Sequence, residues 1–423
     1  MGARECLMVT SESARCRGCG ALLTRTFADL GLSPIANANP HIGDANTGEI
    51  FYPLHALVCS ECLLVQLEEF EARESIFDDE YTYFSSYSTS WVDHARRFAD
   101  TMTDRLSLDQ TSMVVEVASN DGYLLQHFLP RGIAVLGVEP TANTAAVAIG
   151  KGIPTRTEFF GEAVGRDIMS DGGADLLVGN NVFAHVPDLA DFTRGLKAAL
   201  KPTGVISLEF PHLMTQMSEM QWDTIYHEHF SYFSLRSAQF VLEVHGLRVF
   251  DVERLPTHGG SLRILACHDG DPRPTLDSVQ YVLGLEKVAG LDDLETYLAF
   301  DAAVKRDKLE ILAKVIELKQ SGQRIVGYGA PAKANTMLNY CGIGRDIVDF
   351  TCDLNPHKQG RLLPGSRIPI LSPDAITDER PDIVWILPWN LKDEIVEKLA
   401  FIGDWGGRFL CRTPDLQVLT PTR

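Results

Sequence analysis

Val115-Glu116-Val117-Ala118-Ser119-Asn120-Asp121-Gly122 decides the fold of this chain, because an apolar run that begins at Met113 ends there in a loop of small and acidic residues. The run is short and rich in valine, which suits a buried strand. Before it, Val92, Ala95, Phe98, Ala99, Met102 and Leu106 recur at helical spacing between Ser90 and Leu106. After it come strand-like runs at Val135–Val138, Asp175–Val178 and Val205–Phe210, separated by helical patterns such as Asp188 to Leu200, which Lys201-Pro202-Thr203-Gly204 ends. Such alternation predicts an α/β domain built on a doubly wound parallel sheet.

The loop itself narrows the ligand. A dinucleotide fold wants G-x-G-x-x-G, whose glycines let backbone approach a pyrophosphate. Here only Gly122 is glycine, with Ala118 and Asn120 at the earlier small-residue positions. A better match is S-adenosylmethionine, with Glu116 and Asn120 facing its charged methionine part and Ala118, Asp121 and Gly122 completing the loop. Glu139, in Gly137-Val138-Glu139-Pro140 at the tip of the second strand, is placed to accept both ribose hydroxyls, a device shared with nicotinamide enzymes. Phe159 or Phe160 is a candidate adenine contact. Asn180-Asn181-Val182-Phe183-Ala184-His185 follows the strand at Asp175–Val178 on its carboxyl end, where open α/β sheets bind ligands.

Further out, a long helical stretch from about Leu294 to Gln320 leads into a second alternation, with strand candidates at Arg324–Tyr328, Ile347–Cys352, Asp382–Leu387 and Arg408–Cys411. The chain is thus expected to carry two Rossmann-like units. The second opens with Gly327-Tyr328-Gly329-Ala330-Pro331-Ala332-Lys333-Ala334-Asn335-Thr336, which is no P-loop but aims backbone N–H groups and Lys333 at one place, suiting an anion. Lys358 and Arg361 add basic side chains after a later strand, and Trp389-Asn390 follows another.

Four of the nine cysteines form two pairs, Cys16-Arg17-Gly18-Cys19 and Cys59-Ser60-Glu61-Cys62, the spacing of a tetrahedral thiolate zinc site. Four thiolates fill the shell, so the zinc should be structural, stapling a segment too short to build its own core. The isolated Cys6, Cys267, Cys341, Cys352 and Cys411 read as small apolar residues.

Bulk properties fit a folded protein of two or three domains: 423 residues, 45% hydrophobic and 22% charged. A formal charge of −19 argues against a general nucleic-acid binder. No apolar run approaches the roughly 20 residues of a membrane span, and Met1-Gly2-Ala3-Arg4-Glu5 lacks a secretory core, so the expected location is the cytoplasm, away from any membrane. Oligomeric state is not encoded in any pattern here.

Tyr226-His227-Glu228-His229 concentrates a phenol, two imidazoles and a carboxylate in four residues. Neutral imidazole accepts a proton near neutral pH, a phenol donates to an enolate, and a carboxylate can orient an imidazole. Histidines two apart lack the spacing of H-E-x-x-H zinc helices, so acid–base chemistry is the stronger reading.

At this point the residues resemble a family. The cysteine pairs, Tyr83-Phe84-Ser85-Ser86-Tyr87-Ser88, Glu116 to Gly122, Asn180 to His185, Tyr226 to Ser234, His258-Gly259-Gly260-Ser261-Leu262-Arg263, Gly327 to Lys333 and Pro388-Trp389-Asn390 are similar, in order and across nearly the whole chain, to the sugar C-methyltransferases of deoxysugar biosynthesis. The resemblance implies a zinc-binding domain at 1–75, an S-adenosylmethionine-dependent methyltransferase domain at 76–270, and a Rossmann-like domain at 271–423 that helps hold a nucleotide sugar. It implies a dTDP-linked 4-keto deoxyhexose as substrate, methylated at C3. It makes His229 the base, with Glu228 and Tyr226 orienting or polarising, and adds one tyrosine near the sugar, Tyr83 being the candidate while the choice among Tyr81, Tyr83 and Tyr87 stays open. His185, His258, Arg263, Lys333, Asn335, Lys358 and Arg361 become substrate contacts. Two rivals are a nicotinamide oxidoreductase using Asp353 in the second unit and a non-catalytic zinc-containing scaffold.

Overall fold

The computed structural model describes residues 14–71, 84–412 and 416–421, and within them three sheets. Tyr81, Tyr83 and Cys6 lie outside the described residues. The N-terminal sheet is antiparallel, with strands β1 (Arg25–Ser33), β2 (Tyr52–Val58) and β3 (Val65–Leu67). The first cysteine pair turns before β1 and the second turns between β2 and β3, which brings the four thiols together.

Helix α1 (Thr89–Leu106) starts at Ser88, whose hydroxyl accepts from the Trp91 N–H, and stops at Ser107 in the left-handed region. Ala95, Phe98, Ala99 and Met102 form its buried stripe. The central sheet follows: β4 (Met113–Val117), β5 (Ala134–Val138), α2 (Ala142–Gly150), β6 (Thr155–Arg156), α3 (Glu162–Ser170), β7 (Ala174–Asn180), α4 (Leu189–Ala199) and β8 (Leu200–Pro211). Then come α5 (Leu213–Ser218), β9 (Ser231–Tyr232), α6 (Leu235–Val244), β10 (Leu247–Leu255) and β11 (Ser261–His268). The spatial order is β10-β11-β8-β7-β4-β5-β6, so β4 is central and the loops after β4 and β7 open side by side at the carboxyl edge.

The expected all-parallel sheet is corrected at one strand. β11 runs antiparallel to both β8 and β10, because β10 and β11 are joined by the short Pro256–Gly260 connection, which permits a hairpin and no crossover. Strand β9 leaves this sheet altogether and pairs with β3 of the N-terminal sheet. Helix α7 (Asp277–Val288) packs back on the central unit, with Val279 and Val282 in its core.

The helical stretch before the third sheet is two helices, α8 (Leu294–Leu298) and α9 (Phe300–Gln320). Strands β12 (Ile325–Tyr328), β13 (Val348–Cys352), β14 (Ile370–Leu371), β15 (Ile383–Ile386), β16 (Arg408–Cys411) and β17 (Gln417–Leu419) lie in the order β14-β13-β12-β15-β16-β17. All are parallel except β17 at the edge. Helices α10 (Ala332–Cys341), α11 (Asp374–Glu379) and α12 (Lys392–Lys398) intervene.

The small N-terminal sheet sits between the two larger units. Leu57, Leu64, Cys16, Cys59 and Cys62 belong to the same buried cluster as Phe183, Phe210 and Phe233 of the central unit. Phe27, Leu30, Leu54, Ala56 and Val65 instead join Tyr297, Val304, Ile311 and Trp385 of the C-terminal unit. Alternation along β2 and β3 sends successive side chains to opposite neighbours, so burial on both faces fixes the register. No helix among the described residues is long and apolar enough to cross a membrane.

Candidate active site

The loop after β4 holds Ala118, Asn120 and Gly122 at φ of 56°, 49° and 77°. It therefore keeps a glycine-loop backbone at two positions that are not glycine, at a cost of about 1–2 kcal/mol each. Gly122 has no substitute: a Cβ there would meet Ile153 Cδ1 at 2.3 Å. Glu139 fastens the loop, accepting from the Asn120 N–H at 2.9 Å and from the N–H and hydroxyl of Thr141.

Glu116 is 1% exposed, and burial pushes its carboxyl well above the usual range; the Tyr123 hydroxyl opposes the shift, while Glu139 and Asp121 add to it. Burial also raises Glu139, against its hydrogen bonds from Thr141 and Asn120. Asp121 Oδ1 and Asn180 Oδ1 have no hydrogen-bond partner among the described residues, and Glu116, beside the Tyr123 hydroxyl, makes no hydrogen bond of good geometry there. Desolvated, unpartnered acceptors of this kind call for a cation, which is what the ammonium and sulfonium of S-adenosylmethionine supply. The residues fit that cofactor.

Some expected cofactor residues have other work. The Asn120 side chain accepts from Ser85 N–H at 2.8 Å and Asp121 from Ser86 N–H at 3.3 Å, holding the Ser85–Tyr87 turn on the loop. Lys151, which the sequence did not single out, bonds the Ser86 hydroxyl and the Asp121 carbonyl in the same place. Phe160 is a core residue, edge-on to Phe192 at 5.4 Å, which leaves the half-buried Phe159 as the adenine candidate.

On the substrate side, the segment from Trp222 to Phe230 runs over the same carboxyl edge. His229 Nδ1 lies 3.1 Å from the Thr224 carbonyl, which can only accept, so Nδ1 carries the hydrogen and Nε2 the lone pair. Tyr226 Oη stands 2.8 Å from that Nε2. The His185 ring meets His229 edge-on at 4.6 Å. Burial holds the His229 imidazole well below its usual range, helped by His185, His258 and Lys333, so it is neutral. Burial likewise lowers His185 and His258 to about 4. His258, at φ 54°, accepts from Asn181 Nδ2 at 3.0 Å and lies edge-on to Trp91.

Two expectations are corrected here. The Glu228 carboxylate orients no imidazole; it points away from His229 into the N-terminal unit, where Asn37 Nδ2 donates to both oxygens at 2.8 Å. Burial raises it, with Asn37 and the Lys358 charge opposing. Arg263, on β11, is 7% exposed and engaged with Glu209 at 2.7 Å and Glu253 at 3.0 Å, its guanidinium over the Phe98 ring. These contacts brace the β10–β11 hairpin and occupy the guanidinium that the sequence offered to a substrate. His227 donates to the Pro53 carbonyl at 3.1 Å.

The C-terminal unit closes the cleft. Lys333, on the first turn of α10, donates to Asn390 Oδ1 at 2.7 Å and lies over the Trp389 ring at 4.1 Å. Burial lowers it to about 8, with Asp223 opposing. Trp389 also donates to Asp223 at 2.8 Å and packs on Gly259, where a Cβ would approach its ring to 2.4 Å. Lys358 donates to the Ala330 carbonyl at 2.8 Å. Asn335 and Arg361 are not in the cleft as predicted: Asn335 donates to the Ala36 carbonyl and Arg361 to the Asn39 carbonyl at 3.0 Å, tying α10 and the later loop to the N-terminal unit. Asp353, the residue a nicotinamide enzyme would use for ribose, instead accepts from Ala330 and Asn355 N–H at 2.7 and 2.8 Å. Asn37, Asp223 and Lys151 carried no sequence signal, since each stands in a loop or helix without a motif.

The four cysteine Sγ atoms all lie within 4.8 Å of one another, the geometry of one tetrahedral zinc site. Family models match in three blocks: a zinc binding domain at residues 16–77, a methyltransferase domain at 91–252 and a C-methyltransferase C-terminal domain at 256–414. The chain is 35% identical over 406 residues to C-methyltransferase NovU of Streptomyces niveus, covering 96% of each. Among solved structures, it is similar to the magnesium protoporphyrin IX methyltransferase of Synechocystis PCC 6803 with bound SAM (13% identity, 42% of this chain and 81% of that one, TM-score 0.31). A SAM dependent methyltransferase from Archaeoglobus fulgidus is another such structure (14% identity, 41% and 93%, TM-score 0.33). By this near-complete match in the order zinc site, methyltransferase unit, C-terminal unit, the chain belongs to the S-adenosylmethionine-dependent sugar C-methyltransferase family.

Proposed function

We propose that the chain methylates a carbon next to the ketone of a dTDP-linked 4-keto deoxyhexose, at C3, with His229 as the base. Bound S-adenosylmethionine supplies an electrophilic methyl group. Glu116, Asp121, Asn180 and Glu139 would hold it, and Phe159 would flank its adenine. The observation that carries the reading is the state of His229: neutral, with Nδ1 fixed on Thr224 and the Nε2 lone pair beside Tyr226 Oη.

A proton α to a ketone leaves when a base takes it and a donor receives the enolate charge. His229 Nε2 takes the proton, and the Tyr226 hydroxyl moves from that nitrogen to the enolate oxygen. The cation of Lys333 lies in the same cleft and suits either the enolate or the diphosphate, and Lys358 adds charge for the latter. Trp389 packs on Gly259 at one side of this cleft. The division at 1–75, 76–270 and 271–423 then allots zinc, methyl donor and nucleotide sugar to successive segments.

A C4 ketone acidifies both C3–H and C5–H, so the methylated carbon is a measured quantity. Incubation with S-adenosylmethionine and a panel of dTDP-4-keto sugars should add one methyl group, located by NMR at C3. A methyl at C5 would overturn that position while keeping the chemistry. His229→Asn should abolish turnover while S-adenosylhomocysteine still binds by calorimetry; normal turnover would remove His229 as the base.

A further inference from the structure

We infer that Arg17, carried between two zinc-ligating cysteines, is a positioning residue for the catalytic histidines; this rests on the reading of His229 as the base. Arg17 belongs to the zinc knuckle Cys16–Cys19, yet its side chain leaves that knuckle and enters the central unit. Nε donates to the Pro187 carbonyl at 3.0 Å, two residues beyond His185. Nη1 donates to the Leu67 carbonyl and to the Phe230 carbonyl at 3.3 Å, the latter one residue beyond His229. The guanidinium also lies 5.3 Å from the centre of the Phe230 ring. One fork of donors thus grips the ends of both histidine segments.

The grip is reinforced from each side. Phe230 N–H donates to the Ala184 carbonyl at 2.7 Å, which joins the His229 segment to the His185 segment, and the Leu67 N–H donates to the Phe230 carbonyl at 3.0 Å. Strand β3 pairs with β9 through Gln66 and Ser231, directly after Phe230. Gln66, fully buried, closes the circuit back to the metal site: its Oε1 accepts from Arg17 N–H at 2.9 Å and its Nε2 approaches Cys16 Sγ at 3.2 Å.

A knuckle closed on zinc holds the backbone of Arg17 in one conformation, and a planar guanidinium bonds several carbonyls at once where an ammonium would not. A guanidinium keeps its charge at every working pH, and Glu69 and Glu68 lie close enough to compensate it. The zinc site acts in the reaction through this arm: it sets where His229 and His185 stand relative to each other and to the methyl donor.

The test is Arg17→Met and Arg17→Lys in the full-length zinc-loaded enzyme. Zinc content should remain one per chain, and calorimetric affinity for S-adenosylhomocysteine should stay within about twofold. With a turned-over sugar, kcat should fall by roughly ten- to a hundredfold, the scale of a misplacement near 1 Å, with KM little changed. Solvent deuterium entry at the α carbon, followed by NMR without methyl donor, should slow by the same factor, and guanidinium ion should restore part of it in Arg17→Met. Arg17→Lys, which keeps the charge, is expected to fold and to be impaired less than Met. If Arg17→Met does not fold, Lys decides: a kcat and exchange rate equal to those of the unchanged enzyme overturn the inference. So does a loss of S-adenosylhomocysteine affinity in step with kcat, which would mark a general structural role. Failure of the underlying reading looks different, because the unchanged enzyme would then exchange no α proton, or His229→Asn would exchange it normally.

Discussion

At His229 one carbonyl decides the chemistry, since the Thr224 oxygen selects the tautomer and burial keeps the ring neutral. The direction of its shift predicts that the base remains unprotonated well below pH 6.5, so the acid limb of kcat should lie below the usual histidine value. A limb at or above 6.5 in a pH–rate profile would contradict the assignment. Lys333 gives the opposite limb: lowered to about 8 by burial, it is a cation below that pH and loses its charge above it. KM for the nucleotide sugar should therefore rise above about pH 8, and Lys333→Arg should remove that rise. The sequence named both residues because their types are scarce and chemically loaded. It misassigned Glu228 and Arg263 because it shows which groups are near the site, not which way a side chain turns; Asn37 and Glu209 claim them. Asn37 itself was illegible, being one asparagine in a loop with no periodicity.

The elements were more legible than their partners. Apolar runs located β4, β5, β7, β8, β12, β13, β15 and β16, and the 3.6 period located α1. Missed were the N-terminal strands β1 and β2, nine and seven residues long, and the short pieces β6, β14 and β9, which have two residues each, too few for a pattern. The β10–β11 hairpin was absent from the parallel plan for a related reason, because direction is set by a connection and not by strand composition. At the β4 loop, Gly122→Ala should destabilise by roughly 2–4 kcal/mol, combining a left-handed residue with an overpacked contact. In an Ile153→Ala background, where the contact is gone but the buried side chain's own loss is already counted, the same glycine substitution should cost only the backbone part. No cost in that background by denaturant unfolding would show that the backbone there is unstrained.

Across the whole molecule, His185 and His258 couple stability to acid. Their folded values near 4 lie below the unfolded 6.5, so the unfolded chain binds more protons as pH falls. Stability is complete above about pH 6.5 and declines toward pH 4; a thermal midpoint constant over that range would refute the shifts. Arg412, 3% exposed, reaches from the end of β16 to Asp223 at 3.1 Å and Asp307 at 2.8 Å, tying the C-terminal unit to the catalytic segment. Arg412→Met takes the cation from two acids, which keep the indole donors Trp389 and Trp222, and should cost about 3–5 kcal/mol, read as a lower denaturant midpoint. The three-part plan could be read from cysteine spacing and two alternations. What could not be read is that the smallest part lies in the middle, because contacts across hundreds of residues leave no local pattern.

That placement ties the two larger units to a common spacer. A sheet's thickness is set by pleat and side-chain length, roughly 10 Å between packed layers, and the N-terminal sheet packs on the central unit with one face and on the C-terminal unit with the other. It is a gauge block: its turns carry the four cysteines, so a change of side-chain size on either face should be felt by both larger units at once.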